Sequence, residues 1–149
     1  MITFFEIAIT ICLGLLIGTE FAVSAFINPI LRKLDTTTQA SAIRLFAQKL
    51  GFVMPFWYGA SLLLLVGDTI VRREERGLWL LGIASVIWVA VIVLTLLFLV
   101  PINNRMARLN PAEFVAEQQR EHAKWDRLHR VRVGALVAAL CCFLLAVRL

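Results

Sequence analysis

Four long apolar blocks, separated by short charged connections, limit most strongly what this chain can fold into. They cover about residues 3–31, 52–71, 78–101 and 128–147 of the 149 residues. Some twenty apolar residues in a helix cross the roughly 30 Å of hydrocarbon in a bilayer, because each residue adds about 1.5 Å. Hydrophobic residues make up 60% of the chain and charged residues 17%. We therefore predict an all-α fold, a four-transmembrane-helix bundle that forms a single integral membrane domain over residues 1–149.

Two of the connections are long enough to contain helical segments of their own. Segment Ala40–Leu50, between the first two spans, has its apolar residues at helical spacing. Residues 110–130, between the last two spans, follow a helical pattern that Asn110 can cap. We predict a short interfacial helix in each longer connection, or a segment that runs directly into the following span. The remaining connection is the tight turn RREERG.

The distribution of Lys and Arg predicts the orientation in the membrane. The two longer connections carry eleven of the fifteen basic residues, and the opposite side carries Arg72, Arg73, Arg76 and Arg148. Because basic loops are retained in the cytoplasm, we predict cytoplasmic connections and external termini, in the bacterial inner (plasma) membrane. The net charge of +5 lies in these loops and not on a soluble domain, so we predict lipid and no nucleic acid as a partner.

Glu20 is the least expected residue in the apolar blocks, since it lies well inside the first one. A carboxylate at that depth is costly unless it is protonated, paired or facing water, and it indicates a functional site by default. Ser24 and Asn28 follow on the same helix face, which should point into the bundle. Asn28-Pro29 should then end or kink the helix. The alternative is a protonated Glu20 that is hydrogen-bonded across helices for structural reasons.

The alternating direction of the helices brings polar residues of all four spans to one half of the membrane. The ends of spans one and three lie beside the starts of spans two and four. We predict that this half contains the candidate site residues, which are Glu20, Asn28, Trp57, Asn103, Trp125, His129 and Arg132. Trp125 could instead be an interfacial anchor, and Asn103 a helix cap.

The two histidines, His122 and His129, suggest two kinds of chemistry. His129 is the better general-base candidate, because a histidine titrates near neutral pH. The two rings are about 10 Å apart along a straight helix and cannot easily share one ion. Either could pair with Asp126, and Glu20 could add a third ligand from another helix. A metal or haem site at the histidines is therefore an alternative, whereas the leading interpretation uses no cofactor.

Gly14 and Gly18 form a GxxxG pair in the first span. Small residues at this spacing let another helix approach closely. The pair suggests a homo-oligomer, and with it a further alternative function. The chain could be a non-enzymatic structural or partner-binding subunit of the membrane.

Three segments resemble a known family when they are taken in order. They are TEFAVSAFINP at the end of span one, VPINNRMARLNP after span three, and WDRLHRVRVGAL entering span four. The PxN and W-x3-H-x-x-R patterns in the last two are similar to those of the small four-helix membrane family that includes anthrone oxygenases of polyketide pathways. The specific positions are Pro101, Asn103, Trp125, His129 and Arg132. The chain departs from many members at Asn28-Pro29, where they have His-Pro.

This resemblance implies oxygenation of an anthrone to an anthraquinone without an obvious organic cofactor. A base would remove an activated CH proton of a fused-ring ketone, and molecular oxygen would attack the resulting carbanion. The resemblance implies His129 as the base and Asn103 with Arg132 as donors to the enolate oxygen. Trp125 and Trp57 would stack on the rings of a hydrophobic polycyclic, quinone-like ligand.

Overall fold

Four long helices make up most of the protein. A computed structural model of the chain describes residues 4–72 and 76–149, except for the side chain of Glu113. The helices are α1 (Phe4–Leu31), α2 (Thr36–Val71), α3 (Leu78–Ala107) and α4 (Ala116–Ala146). Each is long and apolar enough to cross a membrane, as predicted. The start of span one at residue 3 and residues 73–75 of the RREERG turn lie outside the described residues.

Both longer connections are shorter than predicted, because their helical segments are continuous with the spans that follow. Asp35 caps α2, since its Oδ1 accepts a hydrogen bond from the Thr38 N–H at 3.0 Å. The helix then runs through residue 51 without a break. Asn110 caps only a single 3-10 turn, and α4 begins later, at Ala116. The second of the two predicted alternatives, direct continuation into the span, is therefore confirmed for both segments.

The core of the bundle has two parts. The larger one lies along the middle of the four helices, around the fully buried Trp88 and Phe143. The smaller one joins the N-terminal part of α2 to the end of α3 and the connection after it, through Ile43, Met106 and Phe114. Because this second core holds residues 40–47 of α2 against α3, that segment belongs to the bundle.

Two wide turns interrupt the regular α-helical geometry, at Val23–Ile27 in α1 and Thr95–Leu99 in α3. Both are π-helical, and each ends two residues before a proline, Pro29 or Pro101. A proline lacks the N–H that the preceding turn needs, and its ring crowds the carbonyl four residues earlier. A π-turn relieves that crowding, so α1 continues through Pro29 to Leu31 and does not end there.

The outer surface of the bundle is apolar. Large side chains such as Phe52 (71% exposed) and Leu63 (74% exposed) project away from it, as expected of helices surrounded by lipid. Gly14 and Gly18 also lie on this outer surface, where an added Cβ would meet none of the described residues within 4 Å. They therefore play no part in packing within the bundle. Their predicted role between copies of the chain stays a prediction, as does the orientation of the termini.

Candidate functional site

A buried polar cluster lies where all four helices meet, with the Glu20 carboxylate at its centre. Glu20 is 2% exposed. Its Oε1 accepts a hydrogen bond from the Tyr58 hydroxyl of α2 at 2.9 Å. Its Oε2 accepts one from Nη2 of Arg132, on α4, at 2.6 Å. Donors from two other helices therefore reach both carboxylate oxygens.

The contacts of His129 define which of its nitrogens carries a proton. Nε2 lies 3.1 Å from the backbone carbonyl oxygen of Glu20, which can only accept a hydrogen bond. Nδ1 lies 2.8 Å from Nη2 of Arg132, which can only donate. In the neutral tautomer with its proton on Nε2, the ring donates to this carbonyl and turns its lone pair towards the guanidinium. Nδ1 is also 3.2 Å from Oε2 of Glu20.

Arg132 has the most polar contacts in the cluster and still retains a donor without a partner. Its Nη1 donates to the Thr95 hydroxyl at 3.3 Å, and its Cζ lies 5.5 Å from the centre of the Tyr58 ring. Arg132 is 7% exposed, yet no described residue accepts a hydrogen bond from its Nε. Most buried donors in proteins are satisfied, because an unmade hydrogen bond costs about 1–3 kcal/mol.

The polar cluster forms one wall of a cleft of about 350 Å³. All four helices contribute to the cleft, with α2 and α3 supplying most of its apolar wall through residues such as Met54, Ile92 and Leu99. Five of the predicted site residues line it: Glu20, Asn103, Trp125, His129 and Arg132. The volume falls within the roughly 300–1,000 Å³ of small-molecule sites, which combine apolar walls with a few polar groups.

Trp125 separates this cleft from a second, smaller cavity. Its ring stacks on His129 at 4.6 Å between centroids and on His122 at 6.0 Å, with the planes within 15° in both pairs. The smaller cavity, about 50 Å³, lies on the side of His122 and Asn28. Trp125 and Asn103 line both spaces, so they form the partition between them.

Asn103 is held in this partition by a close approach of two helices. Its Nδ2 donates to the backbone carbonyl of Ala47 at 3.1 Å. Gly51 makes the approach feasible, because a Cβ at that position would lie 2.5 Å from Nδ2. The structure therefore gives Asn103 a role at the cleft wall and not that of a simple cap of α3.

Asn28 belongs to a different cluster, centred on Asp126. Asn28 Nδ2 donates to Oδ1 of Asp126 at 2.7 Å, and both Arg32 and Arg130 pair with Oδ2. Asp126 is fully buried. Its oxygens are thus occupied by three donors, which leaves it poorly suited to bind a metal with either histidine. Within residues 4–72 and 76–149, no group of three His, Cys, Asp or Glu side chains could hold a metal ion.

Trp57 is not at the cleft, contrary to the expectation from its place in the sequence. Its indole Nε1 donates to the backbone carbonyl of Cys12 at 3.2 Å, between α1 and α2. The described linings of the two cavities do not include it. The reason is that α2 begins at Thr36, so that Trp57 lies past the middle of the helix and faces α1. The next residue, Tyr58, faces the site.

Sequence reasoning missed two parts of this arrangement. Tyr58 contacts Glu20 and Arg132, and it also accepts a hydrogen bond from the Trp88 indole through its backbone carbonyl. At the opposite end of the bundle, the buried Glu6 pairs with Arg72. In the sequence, Glu6 is recognisable as a carboxylate close to the start of an apolar block. Arg72 also lies close to Asp68, with 3.6 Å between Nε and Oδ1.

Comparisons with known proteins agree with the resemblance that the motifs suggested. The sequence model of the family described as anthrone oxygenase matches residues 43–142, about two thirds of the chain. The match includes the cleft residues of α2, α3 and α4, and leaves Glu20 outside. No curated protein and no solved structure matches the chain.

Proposed function

The chain belongs to the anthrone oxygenase family, and we propose that its cleft binds and oxygenates a lipophilic fused-ring ketone of the anthrone type. The observation that supports this proposal is a largely apolar cleft with the charged groups of Glu20 and Arg132 among its lining residues. A planar ketone offers the two features that match: an acceptor oxygen for the guanidinium and an apolar body for the remaining walls.

The proposed reaction needs a base, an oxyanion donor and molecular oxygen. The base removes one proton from the CH2 group opposite the ketone, and the carbanion is delocalised onto the ketone oxygen. Molecular oxygen then adds to the carbon to give a hydroperoxide, which loses water to form the second carbonyl. One anthrone and one oxygen molecule thus yield one anthraquinone and one water, so the oxidant is the oxygen molecule.

Arg132 is the proposed oxyanion donor. A guanidinium is always protonated and donates in a fixed plane, so it stabilises negative charge on the ketone oxygen more strongly than it binds the neutral ketone. Its contacts with Glu20, His129 and Thr95 hold this plane in one orientation. Such preorganisation means that little rearrangement is needed when the charge develops.

Glu20 is the proposed base, and His129 the residue that positions Arg132. The single lone pair of the neutral His129 ring is engaged by Arg132, so the ring would have to change tautomer before it could accept a substrate proton. A carboxylate has about four lone-pair sites, and Tyr58 and Arg132 occupy two of those of Glu20. The geometry therefore favours Glu20 over His129 for this step.

Trp125 is the proposed aromatic contact for the rings of the ligand. His122 and His129 stack on the faces of its indole, so a ligand in the cleft would meet its edge, an arrangement that aromatic rings also favour. Trp79 is a matched control, because it lies on α3 and its side chain is 61% exposed at the outer surface.

The test is quinone formation from anthrone by the purified protein in phospholipid vesicles, with oxygen uptake recorded in parallel. The wild type should form anthraquinone faster than empty vesicles, with one oxygen consumed per quinone. Trp125→Leu should lower the rate about tenfold or more by loss of positioning, and Trp79→Leu should match the wild type. Equal rates with and without the protein would refute the proposal.

A further inference from the structure

We propose that the cleft opens to the hydrocarbon core of the bilayer, between α2 and α3, so that its ligands are lipophiles already dissolved in the membrane. This inference rests on the proposed function for its choice of probe, while the route itself follows from the shape of the cleft. It narrows the substrate class to compounds that partition into lipid and carry an acceptor oxygen at one end.

The cleft is closed on one side and open on the other. Its residues from α1 and the inner face of α4, such as Val23 and Arg132, are buried. Its residues from α2 and α3 include Pro55, which is exposed, and Leu96, which is 60% exposed. The polar cluster therefore forms the inner wall, and the opening lies between α2 and α3.

The π-turn of α3 accounts for the opening. α2 packs against α3 along Leu78–Leu94 and again along Val100–Ala107, but much less along the π-turn Thr95–Leu99 between them. Gly59 of α2 faces the same space, where an added Cβ would meet none of the described residues within 4 Å. The gap therefore arises where α3 is widened and α2 lacks a side chain.

Apolar side chains that project outwards surround this opening. Phe56 on α2 is 70% exposed, and Leu97 and Phe98 on α3 are 64% and 52% exposed. Leu96 lies four residues, or about 6 Å, inside the end of the apolar block at Val100. Water is scarce at that depth, whereas acyl chains and dissolved lipophiles are abundant, so the bilayer is the direct source of ligand.

The arrangement also orients the ligand. Arg132 lies at the inner wall, and the apolar residues lie towards the lipid. A ligand therefore enters with its oxygen first and keeps its apolar end near the opening. An apolar substituent at that end can remain in the bilayer, because nothing in the described lining closes the gap between Pro55 and Leu96.

Blocking the opening from one side provides the test. Gly59→Leu fills the gap, and Gly134→Leu is the matched control, because Gly134 is exposed on α4, outside the cleft, with no described neighbour within 4 Å of an added Cβ. The probe is anthraquinone in phosphatidylcholine vesicles, measured by quenching of tryptophan fluorescence. The difference between wild type and Trp125→Phe isolates the signal of the cleft.

The expected result is a fall in apparent affinity of about tenfold or more in Gly59→Leu and none in Gly134→Leu. The proposal is overturned by wild-type affinity in Gly59→Leu or by the absence of any Trp125 signal.

The binding readout separates this proposal from the proposed reaction. Loss of binding in Gly59→Leu, together with no quinone formation by the wild type, would support the lipid-side opening and refute the oxygenase. Quinone formation at equal rates in wild type and Gly59→Leu would support the oxygenase and refute the lipid-side opening.

Discussion

The two ends of the bundle both bury carboxylates beside an arginine, and at one of them these charges line a described cleft. Near the start of α1, Glu6 and Asp68 are each 1% exposed and both contact Arg72. In the C-terminal half of α1, Glu20 contacts Arg132 in a similar way. The first cluster is outside the described linings of the two cavities, whereas the second forms a wall of the larger one.

The difference shows that a buried charge alone is weak evidence of a functional site. A buried ion pair can serve only to hold helices together, as Glu6 and Arg72 do between α1 and α2. The Glu20 cluster has three further properties: an adjoining cavity, π-turns in two of its helices, and a buried donor on Arg132 without a described partner. π-turns are frequent at functional sites. These properties together distinguish the two ends.

The largest expected difference between the clusters is in turnover. Glu20→Gln keeps the shape of the side chain and removes its capacity to accept a proton, so quinone formation should fall by about 10²–10⁴-fold. Glu6→Gln makes the same change at the other end and should leave the rate unchanged. Rates per folded protein in vesicles check this. Equal losses in the two variants would show that both carboxylates act only through stability.

Removing the arginines should affect stability at both ends and binding at one. Arg132→Met and Arg72→Met each remove a cation that pairs with a buried carboxylate, so each should lower the free energy of unfolding by about 3–5 kcal/mol. Only Arg132→Met should also abolish anthraquinone binding. Unfolding in sodium dodecyl sulfate gives the first quantity and fluorescence titration the second. Binding that survives in folded Arg132→Met would remove the basis of the proposed site.

Tyr58→Phe should lower the free energy of unfolding by an intermediate amount. It deletes the hydrogen bond to Oε1 of Glu20 while the ring keeps its contacts with Arg132 and Trp88. A hydrogen bond to a charged group contributes about 1.5–3 kcal/mol, so the loss of stability should be smaller than in Arg132→Met. Unfolding curves of the two variants compare them. A Tyr58→Phe protein as stable as the wild type would mean that the hydroxyl is dispensable to Glu20.

Gly51→Ala should reveal the close contact with Asn103. The new methyl group forces Nδ2 away from the Ala47 carbonyl, which removes about 1 kcal/mol of hydrogen bonding. In a helix the change from Gly to Ala otherwise adds roughly 0.5–1 kcal/mol. At Gly82 an added Cβ would meet no described atom within 4 Å. Gly82→Ala should therefore stabilise the protein, whereas Gly51→Ala should not. The same gain in both melting temperatures would contradict this.

The smallest expected effect on stability comes from removing the exposed carboxylate of Asp35. Hydrogen bonds from the hydroxyl and the backbone N–H of Thr38 hold the pKa of Asp35 below its usual value. Because the folded-state pKa is the lower one, this stabilisation is complete above the unfolded pKa of about 3.9 and is lost as the pH falls through the folded value. Asp35→Ala should lower the melting temperature slightly at pH 7 and progressively less below about pH 4. A difference that grows in acid would contradict the cap.

The order of the apolar blocks was sufficient to predict the convergence of Glu20, Asn103, Trp125, His129 and Arg132. Helix direction alternates along the chain, so the depth of each polar residue follows from its position in its block. Which residues face inwards was harder to predict. In lipid, an outward face can be as apolar as the core, and this is why Trp57 and Tyr58 could not be told apart.

Contacts that depend on local backbone geometry could not be predicted from the sequence either. Pro29 and Pro101 signalled disturbed helices, but not that both would be crossed by π-turns that open a cleft. The sequence predicts His129 as a general base, because a histidine titrates near neutral pH, and this role stays a prediction. The sequence could not predict that Nη2 of Arg132 lies 2.8 Å from its Nδ1.

The most direct test of the account is the infrared carbonyl band of anthraquinone bound to the protein in vesicles. A hydrogen bond from Arg132 to one of its two oxygens should shift one carbonyl band to lower frequency in the wild type and in Arg72→Met. The shift should be absent in Arg132→Met. Two unshifted bands in the wild type, with the ligand bound, would contradict the assignment of this arginine as the group that receives the ligand.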